Sequence, residues 1–194
     1  MILLDRNNTD IELVWYGDLR DNQALKKDYL SWLNDHQITR LIGSPLLNRT
    51  NGLDFVEESF QRFTQPNSMG FFIRHVPDDR FIGTVKLDTI SQYTRSATDG
   101  IMIGDKSYHG KGVAVSVYRL LLAYAFGELG LHRVNGGCNE HNIAMIKTFL
   151  KLGYLLEGRL RHADWIDNTF SDHLCFGVLK DEFYCKHDVI LRNK

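Results

Sequence analysis

The stretch that decides the fold is GIMIGDKSYHGKGVAVSVYRLLLAYAF, residues 100–126. A short apolar strand leads through a turn with two glycines into a run of apolar residues at helical spacing. Backbone N–H groups at a helix N-terminus have no intrahelical partners, and the helix dipole favours an anion there. The pattern therefore predicts a strand–turn–helix unit that binds a phosphate.

Two familiar phosphate motifs fit this turn poorly. A P-loop needs four residues between its first glycine and the Gly-Lys pair, but five separate Gly104 from Gly110. Gly112 then follows Lys111 in place of the Ser or Thr that would bind magnesium. A dinucleotide fingerprint is weak because Val115 stands where its third glycine belongs. A glycine turn that only lets strand and helix pack closely stays open as an alternative.

Periodicity on either side of this unit predicts an α/β layered domain with a mixed sheet. Helical patterns cover 21–35, 51–63 and 142–152, besides the helix of the glycine turn, and strand patterns cover 71–76, 81–88, 98–104, 132–138, 154–158 and 172–179. Asn142 is a candidate cap for the last helix and Gly153 its candidate stop. Inward-facing residues are predicted on two helices: Leu53, Val56, Phe60 and Phe63 on one, and Ile143, Ile146, Phe149 and Leu150 on the other.

Composition excludes several classes of partner. The chain has 23 Lys plus Arg against 24 Asp plus Glu, so it has no basic field for nucleic acid and no polybasic membrane patch. No linker or repeat divides the chain, which predicts one domain over 1–194. Three scattered cysteines and an N-terminus without a signal-peptide core predict a cytoplasmic protein.

The sequence HGKGVA, residues 109–114, resembles the [Q/R]-x-x-G-x-[G/A] turn of the GNAT acetyltransferases. Residues 142–183 resemble the second half of the same family: an Asn, a helix ending in K-L-G-[F/Y], then E-G, an Arg and a closing strand. With AYAFGELGLHRV before it, the resemblance covers roughly residues 81–183. It is nearest to the branch of the ribosomal-protein N-terminal acetyltransferases and the acetyltransferases of nucleotide-linked amino sugars.

The resemblance implies a mixed, mostly antiparallel central sheet with helices on both faces, and acetyl-CoA as the acetyl donor. It assigns the pyrophosphate of coenzyme A to the turn residues His109, Gly110, Lys111, Gly112, Val113 and Ala114. The strand before the turn, at Met102, Ile103 and Gly104, would bind the pantetheine arm and present an amide to the thioester oxygen. Asn142 stands where the family has an Asn that contacts the cofactor, although a helix cap explains it as well.

The catalytic side chains depart from the family pattern. Many members have a tyrosine acid seven residues after the Asn, where this chain has Phe149. The alternative serine of the N-terminal acetyltransferase branch is replaced by Met145. A thiol of pKa about 8.5 leaves readily near neutral pH, so water can serve as the acid. Asp99 and Glu140, beside the ends of two predicted strands, are the candidate bases for the acceptor amine.

In this family the acceptor contacts the N-terminal helices and the closing hairpin. Trp32, Arg40 and Tyr93 are the candidate acceptor residues, because aromatic and cationic side chains suit a base and a phosphate. The segment YLSWLNDHQITRLIG, residues 29–43, resembles acetyltransferases of nucleotide-linked amino sugars. The sequence thus predicts acetyl transfer to a primary amine of a small molecule, with peptide α-amines and a non-catalytic acyl-CoA-binding domain as alternatives. A homodimer, common in the family, is compatible with the exposed aromatics.

Overall fold

One ten-stranded sheet forms the centre of the molecule. The structure, a computed structural model, describes residues 1–5, 8–42, 49–189 and 191–193. Its strands are β1 (Ile2–Asp5), β2 (Asn8–Trp15), β3 (Thr64–Gln65), β4 (Ser68–His75), β5 (Arg80–Ser91), β6 (Ser96–Ile103), β7 (Arg133–Asn139), β8 (Leu155–Ile166), β9 (Thr169–Leu179) and β10 (Leu191–Asn193). They run in the order β10-β1-β2-β4-β5-β6-β7-β9-β8, with β3 paired to β4.

Neighbouring strands are antiparallel except β6 and β7, which are parallel. The parallel pair is joined by a crossover helix, as parallel neighbours require. The predicted mixed, mostly antiparallel sheet is therefore confirmed, and its parallel pair consists of the two strands that the glycine turn and the following helix connect.

Helices cover both faces of this sheet. They are α1 (Gln23–Leu33), α2 (His36–Thr39), α3 (Leu53–Arg62), α4 (Val113–Ala123), α5 (Ile143–Leu152) and α6 (Lys180–Lys186), with 3₁₀ turns at Tyr16–Leu19 and Lys106–Tyr108 and a π-helical turn at Tyr124–Glu128. No helix among the described residues is long and apolar enough to span a membrane.

The sheet separates two apolar cores. Phe71 and Ile73 of β4 lie in the larger core with α4, α5 and α6, whereas Phe72 between them lies in the smaller core with α1 and α3. Alternate residues of a strand face opposite sides of a sheet, so β4 contributes to both layers. The larger core includes Phe149 and the smaller one includes Tyr29.

Several helix ends have the capping residues that the sequence offers locally. Asn22 accepts a hydrogen bond from the Leu25 amide at 3.0 Å, which caps α1. Asn142 likewise accepts from the Met145 amide at 3.1 Å, as predicted for α5. Gly153 ends α5 in the left-handed conformation with φ of 93°, where glycine has no steric penalty.

Some expectations from the sequence were wrong. The predicted order began with a helix, but β1 and β2 precede it, and β8 continues to Ile166 instead of ending at 158. Leu53, Ile143 and Leu150 were expected to face inward, yet Ile143 is 54% exposed and Leu150 is 53% exposed. Helix α5 buries fewer residues than its apolar pattern indicates, because Phe149 and Leu152 already fill the space between this helix and the sheet.

Candidate active site

Strands β6 and β7 open a cleft in the middle of the sheet. They pair only between Ser96–Thr98 and Arg133–Asn135. Beyond that point β6 stays paired with β5 as far as Ile103, and β7 stays paired with β9 as far as Asn139. No strand in the described chain fills the gap between the two facing edges. Such edges offer backbone donors and acceptors to an extended ligand.

Two hydrogen bonds show which β6 residues point their backbone into the cleft. The carbonyl of Ala97 accepts from the Asn135 side-chain amide at 3.2 Å, and that of Ile103 accepts from the His109 ring nitrogen at 2.8 Å. Backbone groups alternate along an antiparallel strand, so every second residue presents its N–H and C=O to the same edge. Ile101 therefore faces the cleft together with Ile103.

The three residues predicted to line the pantetheine arm divide accordingly. Ile103 faces the cleft, whereas the Gly104 amide donates to the Ile82 carbonyl at 2.8 Å on the β5 side. Met102 pairs with Thr84 of β5. By alternation the cleft-facing edge of β6 carries Ile101 and Ile103 but not Met102 or Gly104, and Ile101 was not among the residues predicted from the sequence.

The glycine turn closes one end of this cleft. Gly110 and Gly112 have φ of 74° and 78°, and a Cβ at either position would meet no described atom within 4 Å. Helix α4 starts at Val113, next to Ala114, and no described side chain caps its first amides. The Val115 amide donates to the Gly112 carbonyl at 3.0 Å, but no described side chain occupies the first amides. An eleven-residue helix that begins in this way after two glycines is a ready site for an anion.

The polar side chains of the turn lie beside these amides. A carbonyl oxygen only accepts, so the His109 ring nitrogen Nε2 donates to Ile103 and carries the proton. The Lys111 amine lies 5.4 Å from the ring centre of Tyr108. Lys111 therefore makes a cation–π contact with Tyr108.

Asn142 stands on the opposite side of the cleft, just beyond the end of β7. Its side-chain oxygen accepts from the Met145 amide and caps α5, and this cap does not use its amide nitrogen. The structure supports the helix-cap explanation of this residue and leaves a donor beside the cleft.

Asp99 lies where β6 leaves β7, on the face covered by α4 and α5. It is 8% exposed, and its two oxygens accept hydrogen bonds from Tyr118 at 2.9 Å and Tyr154 at 2.5 Å. Burial raises the pKa of Asp99 to about 7, against the opposing effect of the two tyrosine hydroxyls and of Lys86. Asp99 can therefore exchange a proton near neutral pH.

Phe149 packs directly against this group of residues. Its ring centre lies 4.7 Å from that of Tyr154 and 6.0 Å from that of Tyr118. A Cβ at Gly136 of β7 would lie 2.6 Å from the Phe149 ring and 3.1 Å from an Asp99 oxygen. The position of the family's acid tyrosine is thus apolar, while two other tyrosine hydroxyls reach the same region.

A pocket of about 280 Å³ lies on the opposite face of β6, under α1 and α3. We call it the inner pocket; its floor and walls include Thr84, Lys86, Gly100, Met102, Tyr16, Tyr29, Phe55 and Phe63. Thr84 and Lys86 come from β5, and Gly100 and Met102 come from the part of β6 that borders the cleft. The inner pocket is therefore next to the cleft, on the side away from Asp99.

A second pocket of about 510 Å³ lies between α2 and the β8–β9 hairpin, and we call it the outer pocket. Its charged side chains are His36, Arg40, Arg49 and Asp167. Arg40 pairs with Asp167 at 3.2 Å. Asp167 and Asn168 both have positive φ, as a two-residue hairpin turn requires. With histidine neutral, the described residues of the outer pocket carry a net positive charge.

The three predicted acceptor residues do not lie together. Arg40 lines the outer pocket. The Trp32 indole covers Gly104 at the end of β6, where a Cβ would clash with its ring. Tyr93 is 97% exposed in the turn between β5 and β6, at the end of β6 away from Gly104. The structure thus brings Arg40 and Trp32 to the end of β6 that holds the glycine turn and leaves Tyr93 at the other end.

Glu140, the second candidate base, contacts the β8–β9 hairpin. One oxygen accepts from the Arg159 guanidinium at 2.5 Å, and the other accepts from the Asp172 amide at 2.9 Å. Both contacts hold Glu140 against β8 and β9. The geometry gives Glu140 an anchoring role.

We expect Glu140→Gln to lower the free energy of unfolding by about 1 kcal/mol, because the Arg159 pair is half exposed to solvent. The pH profile of kcat should keep the wild-type shape. Thermal unfolding and a pH–rate profile check this, with Glu128→Gln in the π-helical turn as the matched removal of one charge. Loss of the basic dependence of the rate in Glu140→Gln alone would instead identify Glu140 as a base.

Comparison with known proteins places the chain among acetyltransferases. A family model described as an acetyltransferase (GNAT) domain matches residues 19–155. The probable N-acetyltransferase YjcK of Bacillus subtilis (strain 168) is 33% identical over 130 residues, which cover 66% of this chain and 70% of that protein. The putative ribosomal N-acetyltransferase YdaF of the same organism is 32% identical over 106 residues, covering 55% and 57% of the two chains.

A solved structure has the same fold. Spermidine N-acetyltransferase from Vibrio cholerae, in complex with CoA and spermine, superimposes with a TM-score of 0.77. The superposition covers 91% of this chain and 99% of that one, at 22% sequence identity.

Proposed function

The chain belongs to the GNAT acetyltransferase family, and we propose that the primary amine it acetylates is part of a small molecule that also carries an anionic group. It is an acetyl-CoA-dependent N-acetyltransferase. The proposal concerns the acceptor, for which a nucleotide-linked amino sugar is the leading example. A peptide α-amine is the second candidate, because YdaF is named a putative ribosomal N-acetyltransferase.

The cleft and the glycine turn fit the donor. The open amides after Gly112 would hold the pyrophosphate, and the cleft-facing backbone of Ile101 and Ile103 would pair with the extended pantetheine arm. The bound thioester supplies an activated acetyl group. An amide of this edge directed at the thioester oxygen would stabilise the charge that develops there.

The net positive charge of the outer pocket supports an anionic acceptor. Arg40 and Arg49 line it, and one carboxylate, Asp167, opposes them. A pair of unit charges 4 Å apart interacts by about 1 kcal/mol in water and by about 4 kcal/mol near a protein surface. These cations would therefore bind a phosphate or carboxylate and repel a polyamine, which carries several positive charges.

We propose that Asp99 handles a proton on the thiol side of the cleft. The resemblance suggested a base for the amine, but Asp99 lies on the face of α5 and Phe149, opposite the inner pocket. In the family that face carries the acid for the departing thiolate. Asp99 with Tyr118 and Tyr154 supplies ionisable groups in the region where Phe149 has none.

Arg40→Gln tests the acceptor assignment. We expect kcat/KM for an amine with a phosphate group to fall about tenfold or more, because a lost charge contact of 1.4 kcal/mol corresponds to that factor. The rate with a monoamine that has no other charged group should change little. Thiol release is measured for both acceptors and for spermidine, with Arg95→Gln in the β5–β6 turn as the matched control. A wild-type enzyme that prefers spermidine, or equal losses with all three acceptors, would contradict the proposal.

A further inference from the structure

The inner pocket holds a lysine that no step of the acetyl transfer described above uses. Lys86 extends from β5 across Gly100, its partner in β6. A Cβ at Gly100 would lie 2.9 Å from the Lys86 Cε and 3.5 Å from its Cγ, so the absence of a side chain there gives Lys86 its path. The Lys86 stem therefore lies over the part of β6 that borders the cleft.

The amine of Lys86 is only weakly paired. Asp88 is its carboxylate partner at 3.5 Å, and the same carboxylate oxygen accepts from Arg62 at 2.5 Å. The amine lies 4.9 Å from the ring centre of Phe63. Other ionisable groups face it from the surrounding elements: Glu58 and Arg62 of α3, Tyr29 of α1, Tyr16 of the 3₁₀ turn, and Asp99 of β6 across the sheet.

Burial lowers the pKa of Lys86 and outweighs the attraction of Asp88. Each unit by which the pKa of an amine falls raises its neutral fraction about tenfold at a fixed pH below that pKa. Lys26 of α1 is the contrasting lysine of the same layer. Its side chain is buried, and its amine forms a close ion pair with Glu57 at 2.6 Å.

We propose that Lys86 is itself an acetyl acceptor, so that the protein acetylates its own inner pocket when no small-molecule amine is present. The inference rests on the proposed function, because the acetyl group comes from acetyl-CoA bound in the cleft. The neutral Nζ of Lys86 attacks the thioester carbonyl carbon; the N–C bond forms, the C–S bond breaks and the sulfur leaves with the electron pair. The proton lost by the nitrogen passes through solvent to the thiolate, which gives acetyl-lysine and free coenzyme A.

Acetylation would change the pocket as well as the lysine. The product amide has no charge and is longer than the amine by an acetyl group. It would therefore fill part of the inner pocket, whose volume is about 280 Å³.

The test is incubation of the full-length protein with acetyl-CoA and no amine, followed by intact mass and peptide mapping. We expect one acetyl group at Lys86 and far less at Lys26, whose amine is ion-paired with Glu57 at 2.6 Å. Lys86→Arg should remove it. Gly100→Ala should reduce it, because the new Cβ displaces the lysine stem while the chain keeps its amine.

The variant Gly112→Asp separates enzymatic from chemical acetylation. If acetyl-CoA must be bound in the cleft, this variant loses the Lys86 modification at the same acetyl-CoA concentration. Equal acetylation in both proteins, or acetyl groups spread over exposed lysines, would overturn the inference. Absence of acetyl-Lys86 in an enzyme that still releases thiol with an added amine would also overturn it and leave the proposed function intact.

Discussion

Gly112→Asp is expected to weaken acetyl-CoA binding by about 100-fold or more, with a matching loss of kcat/KM. The residue has φ of 78° and precedes the first amides of α4, which no described side chain caps. A carboxylate there would accept hydrogen bonds from those amides and would repel the pyrophosphate. Loss of two charge-assisted hydrogen bonds of about 1.5 kcal/mol each corresponds to roughly that factor.

Gly130→Asp is the matched control for this change. Gly130 also has a left-handed φ, of 66°, and a Cβ there also meets no described atom within 4 Å. Both variants therefore carry the same backbone penalty of about 1 kcal/mol. Calorimetric titration with acetyl-CoA should show near wild-type affinity for Gly130→Asp. Normal affinity in Gly112→Asp would remove the turn from the cofactor site.

Asp99→Asn is expected to stabilise the fold at alkaline pH and to slow the reaction. The pKa of Asp99 is raised to about 7 by burial, so the folded protein holds a proton that the unfolded chain releases. For a raised carboxyl pKa, stability is present at low pH and is lost as the pH rises from about 4 to about 7. A shift of about 3 units corresponds to about 4 kcal/mol, the upper limit of the gain in Asp99→Asn at pH 8.

The stability effect is the free energy of unfolding of the variant minus that of the wild type, measured by chemical denaturation from pH 4 to pH 8.5. This difference should be small or negative at pH 4 and should grow toward pH 7, because the asparagine stays neutral throughout. Since asparagine cannot exchange the proton, kcat should fall and lose its dependence on pH near 7. Tyr154→Phe is the companion variant: it removes a hydroxyl that lowers the pKa of Asp99, so the pH dependence should move upward.

A pH-independent stability difference would show that Asp99 is ionised throughout. Unchanged turnover in Asp99→Asn would limit Asp99 to a structural role. An enzyme that keeps a buried carboxyl at such a cost in stability is consistent with selection for function, because active sites are where shifted pKa values concentrate.

The sequence predicted best where hydrophobic period and local turn chemistry agree. The glycine turn, α4 and α5 with its Asn142 cap and Gly153 stop combine both signals. The part of β8 beyond residue 158 lacks both signals: it is mostly exposed, so it shows no alternation of apolar residues. Its position depends on pairing with β9, a tertiary contact that a single sequence does not display.

The sequence was enough to predict the glycine turn of the site, but not which side chains contact one another there. Gly110 and Gly112 are identified by their conformational role, which is local. The grouping of Tyr118 and Tyr154 around Asp99 joins residues 19 and 55 positions apart. Lys86 was not singled out from the sequence, because its half-buried position over Gly100 depends on strand register.

The measurement that tests the account most directly is thiol release from acetyl-CoA by the wild-type enzyme, with product masses read for a panel of amines. The panel contains a nucleotide-linked amino sugar, a short peptide, spermidine and a monoamine that has no other charged group. The account predicts one thiol per acetylated product and the highest kcat/KM for the amine that carries phosphate. Acetyl-CoA binding without transfer to any amine, or spermidine as the best acceptor, would contradict it.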